Sequence, residues 1–142
     1  MSNNDVLRNA TYFYSKAILD QILDDLKDVA KEKGYALAVH GSLKKDIDLV
    51  AIPWVNYPVN QDDLANALLQ KLNDIFGAAC FAGDVGLKPH GRKAYTIVTK
   101  GANVYFDLSV VPSLLDDGLD NLHPDTKRSI MAYTEIKGED NE

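Results

Sequence analysis

Apolar residues recur at three- and four-residue spacing in two long stretches and gather in short runs elsewhere, so the chain reads as helices interleaved with strands. In residues 11–33, Leu19, Ile22, Leu23, Leu26, Val29 and Ala30 form one apolar stripe; Lys31, Lys33 and Gly34 supply a basic last turn and a C-terminal glycine. Residues 61–76 repeat the pattern through Leu64, Ala67, Leu68, Leu72, Ile75 and Phe76. Asn60 can cap that helix, Asp62 and Asp63 suit its first turn, and Gly77 stops it. A third helix is predicted from Pro124, a favourable first-turn residue, carrying Ile130, Met131 and Tyr133. Strands are predicted at 35–39, 47–52, 78–81, 94–100 and 103–111. The last two flank Gly101-Ala102, and a glycine at the first central position predicts a two-residue type II′ hairpin. Segments 54–60, 83–93 and 114–122 carry Gly or Pro and read as connections, with Asp84 a turn residue. Cys80, between Ala79 and Phe81, reads as core. The alternation predicts an α/β (α+β) domain with a small mixed sheet, helices mainly on one face.

Composition sets the scale of this picture. The 142 residues suit one domain over residues 1–137, with 46% hydrophobic and 25% charged residues, an ordinary globular balance. The net charge is −6, and residues 135–142 carry half of it, so residues 138–142 read as an acidic, solvated tail. A protein that grips long duplex nucleic acid needs a basic face, and no basic run of that kind occurs. One cysteine forms no intramolecular disulfide. The first residues lack the basic and apolar regions of a signal peptide, and the apolar runs are far shorter than a membrane span. A cytoplasmic protein without membrane association is the expectation.

Candidate chemistry concentrates in His40-Gly41-Ser42-Leu43-Lys44-Lys45-Asp46-Ile47-Asp48, at the entry to the second strand. Alternation puts Asp46 and Asp48 on one face, their Cα atoms about 7 Å apart, and Ile47, Leu49 and Ala51 on the other. Two carboxylates so placed repel unless a cation or solvent relieves them. Asp107 is a third: it falls on the face of Tyr105 and Ser109, opposite Val104, Phe106, Leu108 and Val110, and a Gly101-Ala102 turn sets it opposite Thr96. Oxygen ligands suit Mg²⁺ or Mn²⁺, and three aspartates can hold two such ions about 4 Å apart. Gly41 permits close backbone approach, and Ser42 with nearby N–H groups can bind phosphate. Lys44, Lys45, Lys88 and Arg92 can neutralise a triphosphate, although Lys44 and Lys45 serve equally as turn lysines. His40, His90 and His123 show no metal-ligand spacing.

The Gly-Ser and Asp-x-Asp stretch, with Asp107 in an apolar-Asp-apolar strand, resembles the signature of the DNA polymerase beta-like nucleotidyltransferase superfamily. The wider pattern from His40 to Pro112, including Lys88-Pro89-His90-Gly91-Arg92, resembles small nucleotidyltransferase-like proteins of bacteriophages. The resemblance implies an enzyme that moves a nucleoside monophosphate from an NTP, such as ATP, to a hydroxyl acceptor and releases pyrophosphate. By it, Gly41 and Ser42 bind the phosphates, Asp46 and Asp48 bind both metals, and Asp107 binds the catalytic metal and helps activate the acceptor. The chain departs from the pattern in having only Leu43, Lys44 and Lys45 between Ser42 and Asp46, where many members have a longer loop with another glycine. That departure leaves open a catalytically inactive module of the same fold that binds a nucleotide or a protein, as an antitoxin does. The acceptor, base preference and oligomeric state are unassigned.

Overall fold

The computed structural model describes residues 2–113 together with Asp116, Asp125 and Arg128. Helix α1 spans Asn3–Glu32, strand β1 Tyr35–His40, β2 Ile47–Pro53 and helix α2 Gln61–Phe76. The short strands β3, Ala79–Phe81, and β4, Gly86–Leu87, precede the long hairpin of β5, Lys93–Thr99, and β6, Tyr105–Val110. Of the predicted third helix only Asp125 and Arg128 are described, both helical, and the acidic tail lies outside the described residues.

The six strands form one mixed sheet in the order β1-β2-β6-β5-β3, with β4 also paired to β5. β2 and β6 run parallel; the remaining pairs are antiparallel. Both helices cover the same face. Leu19, Ile22, Leu26 and Ala30 of α1 and Leu64, Leu68 and Leu72 of α2 meet Leu37, Ile47, Leu49, Ala51, Ile97, Phe106, Leu108 and Val110 in one core. These strand residues are every second position of their strands, so the alternate positions stand on a face that carries no helix among the described residues. The predicted α+β architecture with helices on one face is the one observed.

Several boundaries differ from the sequence reading, each for a local reason. α1 begins at Asn3 rather than near residue 11, because Ser2 and Asp5 form a reciprocal capping box. The turns so added hold no buried residue before Ser15, so apolar periodicity does not reveal them. α2 is capped by the Asn60 side chain at one end and by left-handed Gly77 at the other, as its residues predict. The β5–β6 register is that of a turn centred on Gly101-Ala102, but the last cross-strand bond joins the Thr99 amide to the Val104 carbonyl, which leaves a four-residue loop. The Lys100 amide donates instead to Ala78. Cys80 is exposed rather than core: it pairs with Val98 on the helix-free face, although both its neighbours are apolar. Within the predicted loop 83–93, β4 adds two residues to the sheet and a single 3-10 turn spans Pro89–Gly91.

Candidate functional site

The helix-free face brings the predicted carboxylates together. His40 is the β1 partner of Asp48, Asp48 is the parallel β2 partner of Asp107, and Asp107 is the β6 partner of Thr96. Four residues distant in sequence therefore stand in one row across four strands. Thr96 Oγ1 donates to Asp107 Oδ1 at 3.2 Å and fixes that carboxylate. Asp46, one residue before β2, lies close enough to Asp107 for the two carboxyls to interact.

The row concentrates negative charge. Burial pushes the Asp46 carboxyl above its ordinary range, and the neighbouring carboxyls of Asp107 and Asp48 push it the same way, against Lys45. Burial also raises Asp48, with Asp107 adding to it and His40 opposing. Among the described residues none of the three carboxylates takes part in an ion pair. Asp48 and Asp107, but not Asp46, line a cavity of about 320 Å³, whose wall also includes Asp84, Lys88 and Ser109.

The turn before β2 is built around this charge. Gly41 has a φ of +76°, and a Cβ there would collide with Asp48 Oδ2. The close backbone approach expected of Gly41 is thus to the Asp48 carboxylate. Ser42 Oγ accepts the Lys44 amide at 3.3 Å, and Leu43 takes a left-handed φ of +60°, which lets three residues join Ser42 to Asp46. The candidate phosphate-binding cations are dispersed. Lys88 lines the cavity. Lys45 lies near Asp46, whereas Lys44 lies within electrostatic reach of Asp5 in the first turn of α1. Arg92 donates through Nε to the Pro89 carbonyl at 3.4 Å and is not part of the cavity wall.

Oxygen donors with excess negative charge suit a hard divalent cation such as Mg²⁺. Among the described residues no three His, Cys, Asp or Glu side chains converge on one cation position. Mg²⁺ usually takes one or two carboxylates and fills its octahedron with water and substrate phosphate oxygens. The adjacent pair Asp48 and Asp107, with Asp46 beside it, fits that manner of binding, and an ion would relieve the repulsion within the row.

Alternation from Asp107 already places Ser109 on the site face. Asp84 gives no such signal, because it lies in the loop before β4, where no strand alternation applies. His40, read only as a neighbour of the phosphate turn, is part of the row.

No family model and no curated protein matches the sequence. The chain is similar to solved structures of three polymerases. A structure of the Cid1 poly(U) polymerase with MgGTP bound matches 71% of the chain at 19% identity and a TM-score of 0.46. The polymerase core of TRAMP, an RNA surveillance complex, matches 83% at 16% identity and a TM-score of 0.40. The non-canonical poly(A) polymerase complex GLD-2–GLD-3 matches 74% at 17% identity and a TM-score of 0.34. The matched part amounts to 32%, 40% and 40% of those chains, respectively.

Proposed function

We propose that the chain is a metal-dependent nucleotidyltransferase that moves a nucleoside monophosphate from an NTP to a hydroxyl acceptor with release of pyrophosphate. The observation that carries this reading is the adjacency of Asp48 and Asp107 in parallel register, with Asp46 near Asp107 and no ion pair among the described residues to offset their charge. Asp46, Asp48 and Asp107 are the residues that would hold Mg²⁺ or Mn²⁺, singly or as two ions; bound there, the cation would neutralise the triphosphate and the charge that develops on transfer. Thr96 orients Asp107, which would accept a hydrogen bond from the acceptor hydroxyl. Gly41 leaves room for the Asp48 carboxylate, and Lys88 supplies positive charge on the cavity wall.

The short turn at Ser42–Asp46, in which Ser42 Oγ already accepts a backbone amide, favours a second reading: nucleotide binding without transfer. Calorimetric titration with each of the four NTPs in the presence of Mg²⁺, on wild type and on Asp48→Asn and Asp107→Asn, tests both. Saturable binding that needs Mg²⁺ and weakens at least tenfold in Asp48→Asn is expected, with pyrophosphate release lost in Asp107→Asn. Binding without pyrophosphate release across an acceptor screen would leave the second reading. No NTP binding by the wild type would sink both.

A further inference from the structure

One step along β2 and β6 from the carboxylate row lies a second row of different character. Ala38 pairs with Val50, Val50 with Ser109, Ser109 with Ala94, and Ala94 with Gly86, across five strands on the same helix-free face. Small side chains in four of these five positions make a shallow floor beside Asp48 and Asp107. Gly86, Ala94 and Ser109 of this row line the same cavity as the two aspartates. The Ser109 hydroxyl is buried and has no hydrogen-bond partner among the described residues. A buried hydroxyl left unpaired is costly, so a native one asks for an explanation. Asp107, two residues away on the same face, is already engaged by Thr96.

Lys88 closes the far side. Its amide donates to the Arg92 carbonyl and so continues the β4–β5 ladder. Its side chain folds back over the floor, Cε lying 3.7 Å from the position a Gly86 Cβ would take. The cavity wall carries the Asp48 and Asp107 carboxylates, then the Ser109 hydroxyl on a floor of small side chains, then the Lys88 cation, with Asp84 also on the wall.

We propose that this second row is the acceptor subsite, that Ser109 is a ligand-contacting residue, and that the acceptor is a phosphorylated sugar. Its reacting hydroxyl lies toward Asp107, a further ring hydroxyl or the ring oxygen pairs with Ser109, and its phosphate meets Lys88. The cavity is at the small end of ligand pockets, which run from about 300 to 1,000 Å³, and so suits one sugar phosphate. The assignment rests on the nucleotidyltransferase reading only for the word acceptor; the subsite itself is argued from the row, the hydroxyl and the lysine.

The test is binding, not turnover. Ribose 5-phosphate is titrated into the wild type in the presence of Mg²⁺ and followed by amide chemical shifts, with ribose alone and a trinucleotide RNA bearing a free 3′ hydroxyl as parallel probes. Ribose 5-phosphate is expected to shift the amides of Ala94 and Ser109. Its affinity is expected to fall about tenfold in Ser109→Ala, a loss of one buried hydrogen bond, and about as much in Lys88→Gln. It should vanish in Ala94→Leu, which fills the floor. Tighter binding of the trinucleotide than of ribose 5-phosphate, with the same dependence on Ser109, would identify the sugar phosphate as the end of an RNA chain; the reverse order would identify a free one. Unchanged affinity in Ser109→Ala, equal binding of ribose and ribose 5-phosphate, or no binding of either phosphorylated probe overturns the proposal. NTP binding measured on the same samples shows separately whether the nucleotidyltransferase reading survives.

Discussion

At Gly41 two demands meet in one residue: a left-handed backbone and room for a neighbouring carboxylate. Alanine meets neither. A left-handed φ costs a non-glycine residue about 1–2 kcal/mol, and the added methyl must displace the Asp48 carboxylate or the turn itself. Gly41→Ala is therefore expected to lower stability by at least that amount in a urea titration and to remove Mg²⁺-dependent NTP binding. Asp48 makes an opposite kind of prediction. Burial and Asp107 hold Asp48 and Asp46 above the ordinary carboxylate range. The folded state then binds protons more tightly than the unfolded state. Stability from this source is complete below the unfolded value, about 3.9, and is lost as pH rises through the raised folded values. Asp48→Asn removes one charge from the row. Its melting temperature is expected to exceed that of the wild type at neutral pH, and the gap is expected to close as pH falls below about 4. A wild type that melts higher at neutral pH would show that the carboxylates are not in mutual repulsion.

The elements that carry the site are held by contacts outside it. Gln61 opens α2 and is buried, and its Nε2 donates to the Val110 carbonyl at 2.8 Å and to the Gly91 carbonyl at 3.0 Å. One side chain thus joins α2 to the end of β6 and to the 3-10 turn that follows β4. Beside it, Tyr95 of β5 donates its hydroxyl to Asp62, and that bond, first among its causes, holds the Asp62 carboxyl below its ordinary range. Gln61→Leu keeps the volume and leaves two carbonyls without their donor. A loss of about 1–3 kcal/mol is expected in denaturant unfolding, larger than for Gln70→Leu, whose Nε2 reaches only an exposed Asp74 carboxylate one turn along the same helix. α1 has a different economy. Thirty residues make a helix about 45 Å long, whereas the longest strands have seven residues and extend about 23 Å. Its first turns therefore outrun the sheet and rely on the Ser2–Asp5 capping box.

Across the whole molecule the decisive feature is asymmetry. α1 and α2 lie on one face of the sheet, and among the described residues the other face is left to the carboxylate row and its cavity. Charge that would be intolerable in the core is borne here because solvent and a cation can reach it. Mg²⁺ alone, without nucleotide, is therefore expected to raise the melting temperature of the wild type, by binding the folded state and not the unfolded one. The rise should be lost in Asp107→Asn. Equal effects on wild type and variant would mean that the ion acts by general screening.

The amino-acid sequence by itself determined the apolar stripes of both helices, the caps of α2, the alternation that separates Ile47, Leu49 and Ala51 from Asp46 and Asp48, and the hairpin register that faces Asp107 with Thr96. All of these are local: periodicity, capping and turn chemistry act over a few residues and leave a trace in the order of the chain. The parallel pairing of β2 with β6 leaves none, because its partners are some sixty residues apart and no turn joins them. Tertiary structure alone decided that Asp48 stands beside Asp107, that His40 completes the row, that exposed Cys80 belongs to the open face, and that Lys88 reaches the cavity while Arg92 does not. The two-residue strand β4, which brings Gly86 and Lys88 to that cavity, is held by its partner β5 and not by any pattern of its own.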